Sequence, residues 1–211
     1  MDSESRDEFV AACTRLQTNA EVRIMNRSHE IIIAGFGGQG VLSLGLVVAY
    51  AAMNEDKEVS WMPSYGPEMR GGTANCIVIV ADNRISSPIV TQFDSVIALN
   101  QPSIDKFASR VKPGGLLLCE QSGVVTPCTR TDIDIVNIPA MEEAQKLKKK
   151  QVANMIVLGA FLERRPIVAL ENVLKALKEV LPERHHHLIP LNEEALKLGK
   201  KLAAESVQQP A

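Results

Sequence analysis

The chain has 211 residues, 45% of them apolar, and a formal charge of −2. That length suits one domain with a full core, and the near-neutral charge gives no global pull toward nucleic acid or an anionic membrane surface. Aromatic residues make up only 4%, too few for the stacking platforms of single-strand binders. The longest near-apolar run, 41–53, is too short to span a bilayer.

Residues 1–28 read as an N-terminal extension: Ser5-Arg6-Asp7-Glu8 fits a capping box, and Phe9, Cys13 and Leu16 share one helical face. A short helix is expected there, packed on the body or clamping a partner. The segment is acidic and has no apolar leader core. Residues 29–205 read as a single α/β domain, with 206–211 as a tail.

Within the domain, Ile31, Ile32, Ile33 and Ala34 form an apolar run that suits a strand buried on both faces. It feeds Gly35-Phe36-Gly37-Gly38-Gln39-Gly40, a G-x-G-x-x-G turn, and then an apolar-rich helix over about 39–54. Free amide N–H groups and the positive end of the helix dipole would meet an anion at that turn. The same glycines would equally serve tight strand–helix packing. A second strand is expected over 57–62, stopped by Pro63. The segment from Pro63 to Thr73 is dense in turn formers and reads as a shaped loop at the carboxyl edge of the sheet, where ligands of open α/β sheets gather. Arg70 in that loop presents a planar fork suited to phosphate or carboxylate, or pairs with a partner or surface acid.

Further strands are expected over 74–81, 95–99, 116–119 and 134–138, with a helix over 101–111 stopped by Lys112-Pro113-Gly114-Gly115. The remainder reads as helical. It comprises a charged helix over 141–150, a buried segment over 154–162, an amphipathic helix over 169–181 and a final helix capped by Asn192. The alternation predicts a Rossmann-like α/β fold, a mostly parallel sheet flanked by helices, with a helical C-terminal portion. Lys146, Lys148, Lys149 and Lys150 read as a solvated face. His185, His186 and His187 read as adjacent residues of an extended segment, a poor ligand spacing, so no metal site is assigned. The four cysteines form no C-x-x-C pair and read as reduced thiols of a cytoplasmic protein.

A dinucleotide site would want an acid at the end of the second strand. Trp61-Met62-Pro63 stands there instead, which counts against a nicotinamide cofactor. The chain also has no nucleophile elbow, metalloprotease motif, phosphate-loop lysine or cluster-binding cysteine series. No residue is assigned a catalytic role, and the pattern points to a subunit. The alternatives are a stand-alone nicotinamide-dependent dehydrogenase and a scaffold whose turn binds nothing.

The glycine turn together with Pro63-Ser64-Tyr65-Gly66-Pro67-Glu68-Met69-Arg70-Gly71-Gly72-Thr73-Ala74-Asn75-Cys76 resembles the gamma subunit of 2-oxoacid:ferredoxin oxidoreductases. Ser87-Pro88, Asp94, Asn154-Met155-Ile156-Val157-Leu158-Gly159, and Leu191-Asn192 with Ala195 and Gly199 also resemble that family, over about residues 30–200. The resemblance implies an assembled enzyme of anaerobic metabolism. Such an enzyme oxidatively decarboxylates a 2-oxoacid on thiamine diphosphate, reduces ferredoxin through iron–sulfur clusters and releases an acyl-coenzyme A. Thiamine diphosphate and clusters would sit in partner alpha and beta subunits and a ferredoxin-like subunit. The form of the second loop favours 2-oxoglutarate or branched-chain members over pyruvate ones. By the same resemblance Gly35, Gly37, Gly38, Gln39 and Gly40 become a candidate coenzyme A or anion loop. Ser64, Tyr65, Glu68 and Arg70 become a candidate ligand or intersubunit edge. Isolated from its partners, the chain would have a homodimer as one way to cover the missing contacts.

Overall fold

The apolar run at 31–34 becomes the centre of the sheet, with Ile31, Ile32, Ile33 and Ala34 all at most 1% exposed. The computed structural model describes residues 28–65 and 72–206. The forecast N-terminal helix, the loop positions from Gly66 to Gly71 that include Glu68 and Arg70, and the tail from 207 lie outside the described residues.

Six strands form one sheet: β1 (Ser28–Phe36), β2 (Glu58–Tyr65), β3 (Thr73–Ala81), β4 (Phe93–Ala98), β5 (Val111–Glu120) and β6 (Asp134–Ile138), in the order β2-β3-β1-β4-β5-β6. Strands β1, β4, β5 and β6 pair in parallel, whereas β3 runs antiparallel to both β1 and β2. The sheet is mostly parallel, as expected: β3 alone is reversed, which makes it mixed, and the other five strands share one direction. The chain leaves β2, returns alongside it as β3, and so inserts a reversed strand between β2 and β1. Two strand spacings, about 9.5 Å, now separate β2 from β1. The place where a dinucleotide fold keeps its ribose-binding acid is displaced from the glycine turn.

The helices are α1 (Val41–Met53), α2 (Gln101–Phe107), α3 (Ala140–Lys146), α4 (Ala153–Arg164), α5 (Leu170–Val180) and α6 (Ile189–Ser206). Side chains alternate along each strand, so Ile31 and Ile33 enter one core and Ile32 and Ala34 the other. The larger core lies under α1, α3, α4, α5 and α6. The smaller lies under α2, where Phe93, Val96, Phe107 and Leu117 meet. Helix α1 is buried nearly all round because it lies between the sheet and α5. Val173, Ala176 and Leu177 form the buried stripe of α5, as its periodicity predicts.

Several boundaries differ from expectation. Strand β2 runs on through Pro63 to Tyr65, since it is an edge strand and proline's missing donor is tolerated there. The Lys112–Gly115 segment does not end a helix. It bulges within β5, whose partners step from Phe93 opposite Val111 to Ser95 opposite Leu116, and Gly114 takes φ 75. Asn192 does not cap the last helix; it lies inside α6, where its amide donates to the Leu188 carbonyl at 2.9 Å. The three histidines wind into a 3-10 turn over Glu183–Leu188 rather than an extended segment. That turn passes directly into α6, with Pro190 in the first turn where no donor is lost.

Helices α4 and α6 cross through glycines. A Cβ at Gly159 would strike the Leu196 carbonyl oxygen, and one at Gly199 the Ile156 carbonyl oxygen. The contact is backbone to backbone, so no side chain can rotate away. Alanine would gain up to about 1 kcal/mol of helix propensity, less than the strain of overpacking. Gly159→Ala is expected to destabilise the chain by about 1–3 kcal/mol. Urea unfolding checks this, with a lowered midpoint at unchanged slope.

Candidate functional site

The glycine turn is set by its backbone. Gly37 N–H donates to the Gly72 carbonyl at 3.0 Å, which ties the turn to the start of β3, and Gln39 N–H donates to the Phe36 carbonyl at 3.2 Å. Gly38 and Gly40 take φ values of 94 and 78, a left-handed conformation that suits glycine. Gly40 is the N-cap of α1, and no side chain caps the helix. Its first amide N–H groups are thus left for solvent or a ligand. No acidic residue occupies that first turn, so nothing there opposes an anion.

Two cavities flank the turn. One, of about 590 Å³, is lined by Phe36, Gly37, Gly38 and Gly40, the first residues of α1 through Ser43, and Gly72, Thr73 and Ala74 of the returning chain. Phe36 and Ala74 give it apolar walls. The exposed Ser43 and Thr73 carry hydroxyls there. Its volume lies within the range of ordinary small-molecule sites, about 300–1,000 Å³. The second, of about 280 Å³, opens between the ends of β1 and β4, where the strand order changes direction. That crevice is the ligand position of open α/β sheets. Gly38, Gln39, Gly40, Leu99, Glu120, Met141, Lys150, Gln151 and Asn154 contribute to its lining.

The predicted site residues separate into two kinds. Gly37, Gly38 and Gly40 face the first cavity. Gly35 and Gln39 hold it together. The Gln39 carboxamide accepts from Phe36 N–H at 2.6 Å and donates to the Leu99 carbonyl at 3.1 Å, joining the ends of β1 and β4. A Cβ at Gly35 would lie 2.6 Å from that same Gln39 oxygen. Ser64 and Tyr65 end the edge strand opposite Asn75 and Ala74, at the carboxyl side of the sheet as expected. Arg70 follows at once, outside the described residues.

Glu120, Asn154 and Lys150 are among the lining residues not singled out from sequence as site groups. Glu120 closes β5 and is only 3% exposed. Its carboxylate accepts from Met141 N–H and Gly123 N–H, each at 3.1 Å, and from the Ser122 hydroxyl. An acid at the carboxyl end of an otherwise apolar strand was its signal. Asn154 stands over the turn, and a Cβ on Gly40 would lie 2.5 Å from its amide nitrogen. Lys150 belongs to the lysine run read as a solvated face, and chain folding brings it to the rim of the second cavity.

The two buried thiols, Cys76 and Cys119, offer no nucleophile. Burial pushes the Cys76 thiol up to about 12, and it rests 3.5 Å from the Val41 carbonyl beneath α1. Burial pushes Cys119 up to about 12 as well. Both stay protonated at neutral pH. Among the described residues no group of acids, histidines and cysteines is placed to hold a metal ion, and no helix is long and apolar enough to cross a membrane.

Fold and turn together define an α/β domain whose first helix starts uncapped behind a glycine turn, at the carboxyl edge of the sheet. The chain belongs to the pyruvate ferredoxin/flavodoxin oxidoreductase family, whose sequence model matches residues 30–202. It is 38% identical over 178 residues to the ketoisovalerate oxidoreductase subunit VorA of Methanothermobacter thermautotrophicus, covering 83% of this chain and 36% of that protein. The chain thus spans about a third of VorA. It is 34% identical over 164 residues to the 2-oxoglutarate synthase subunit KorC of Methanocaldococcus jannaschii, covering 76% of this chain and 88% of KorC. Among solved structures, the gamma subunit of a keto/oxoacid ferredoxin oxidoreductase from Geobacter sulfurreducens matches with a TM-score of 0.71 and 31% identity, over 84% of this chain and 99% of that one. The 2-oxoglutarate:ferredoxin oxidoreductase of Magnetococcus marinus shares the fold, with a TM-score of 0.78 at 24% identity over 85% of this chain and 31% of that one.

The contact between Asn154 and Gly40 makes a testable pair. Among the described residues Gly38→Ala meets only backbone strain, since none lies within 4 Å of its Cβ position, whereas Gly40→Ala meets strain and Asn154. Each strain costs about 1–3 kcal/mol. Thermal unfolding of Gly40→Ala is expected at a lower temperature than Gly38→Ala. Adding Asn154→Ala to Gly40→Ala should recover part of the loss, which a double-mutant cycle reads as coupling.

Proposed function

We propose that this chain is the gamma subunit of a multisubunit 2-oxoacid:ferredoxin oxidoreductase and that it contributes the coenzyme A site and subunit contacts. The observation that carries the proposal is the uncapped start of α1 behind a glycine turn, opening into a cavity of about 590 Å³, in a chain that matches a solved gamma subunit over 99% of that subunit. Coenzyme A is long and anionic and has an apolar arm. The amides of α1 suit its pyrophosphate, and Phe36 and Ala74 suit its pantetheine.

Thiamine diphosphate and iron–sulfur clusters belong, on this reading, to partner alpha and beta subunits and a ferredoxin-like subunit. This chain then supports decarboxylation of the oxoacid without supplying a catalytic group. Among relatives, identities of 38% to VorA and 34% to KorC against 26% to the pyruvate synthase subunit PorC of Methanothermobacter thermautotrophicus favour a 2-oxoglutarate or branched-chain oxoacid. Coverage of 88% of KorC against 36% of VorA favours 2-oxoglutarate.

Reconstitution tests the proposal. Purified alone, the chain is expected to show no 2-oxoacid-dependent reduction of a viologen dye. Added to thiamine-binding and ferredoxin-type subunits, it should support reduction that requires both 2-oxoglutarate and coenzyme A. Activity from the chain alone, or hydride transfer with bound NADH, would contradict it.

A further inference from the structure

The glycine turn has a second side. Gly38 and Gly40 line both cavities, so the turn is a saddle between them. Among the described residues nothing lies within 4 Å of a Cβ at Gly38, so they leave its crest open. A long ligand can cross there. The smaller cavity, about 280 Å³, suits one end of a ligand rather than a whole one.

What that end carries follows from the rim. The chain turns sharply between α3 and α4, with Lys148 at φ 56. The turn is fixed by Lys148 N–H to the Gln145 carbonyl at 2.8 Å, Lys149 N–H to the Ala144 carbonyl at 3.0 Å and Val152 N–H to the Lys149 carbonyl at 3.1 Å. It therefore holds Lys150 at the mouth. Lys146 is paired with Glu142 and Glu143. Among the described residues, Lys148, Lys149 and Lys150 have no ion-pair partner. Glu120 in the wall already accepts from three donors and is not paired with Lys150. A buried carboxylate excludes an anion from the deep wall, so an anionic group belongs at the lysine rim. The exposed Gln151 and the half-buried Asn154 add neutral amides to the lining.

We propose that this smaller cavity receives the nucleotide end of coenzyme A and that Lys150 pairs with its 3′-phosphate. Lys150 is then the residue that separates coenzyme A from 3′-dephospho-coenzyme A. The inference rests on the coenzyme A reading above. A phosphate monoester carries nearly two charges at neutral pH, and lysine meets it as a point charge. The pyrophosphate lies across the turn at α1, and the pantetheine continues into the larger cavity.

Titration calorimetry on the assembled complex, with coenzyme A and with 3′-dephospho-coenzyme A, tests it in the wild type, Lys150→Ala and Lys150→Arg. The wild type is expected to prefer coenzyme A. Lys150→Ala should weaken coenzyme A about tenfold, the loss of one charged contact, and leave the dephospho form unchanged. Lys150→Arg should keep the preference. A Lys150→Ala complex that binds coenzyme A as tightly as the wild type, or loses both ligands equally, overturns the role of Lys150 while the coenzyme A reading stands. A wild-type complex that binds neither ligand overturns both.

Discussion

The arrangement depends on one side chain that spans two strand ends. Gln39 accepts from the β1 terminus at Phe36 and donates to the chain beyond β4 at Leu99. It thereby fixes the turn at the point where the sheet changes direction. Gly35 must lack a side chain for the Gln39 carboxamide to lie there. With the turn held, α1 can begin on a left-handed glycine and leave its first amides uncapped. An uncapped helix start is normally a cost. Here it is kept beside a cavity of about 590 Å³, where a ligand's anionic group would satisfy it.

The reversed strand sets what borders the turn. With β3 beside β1, Gly72 and Thr73 border the turn in place of the end of β2. Among the described residues no acid stands where β2 ends, at Ser64 and Tyr65. Among the described residues the turn is surrounded by backbone amide, hydroxyl and apolar surface on one side, and on the other by Lys150, neutral amides and the buried, hydrogen-bonded Glu120 carboxylate. That distribution is the ground on which the coenzyme A reading proposed above rests.

Local chemistry made much of this legible in the sequence. The buried run 31–34, the glycine turn, the helix after it and strand β6 all follow from short-range patterns, and β6 ends where Pro139 predicts. The reversal of β3 was not legible. Strand direction is decided by long-range pairing, and an apolar run such as 76–81 reads the same either way. Lys150 was hidden for a related reason. A lysine run is solvated in most settings, and only the packing of α3 against α4 sets one member beside a cavity. Glu120 and Asn154 likewise gain meaning when β5 and α4 converge on the turn. Spacing marked the loop that holds Gln39, but not the hydrogen bond from Gln39 to Leu99, which joins residues far apart in sequence.

Hydrogen exchange read by mass spectrometry on the assembled complex tests the central claim most directly. The account predicts that coenzyme A slows exchange in peptides covering residues 37–43 and 148–154, and that NADH slows neither. Protection confined to other segments or other subunits, with exchange at the glycine turn unchanged, would contradict it.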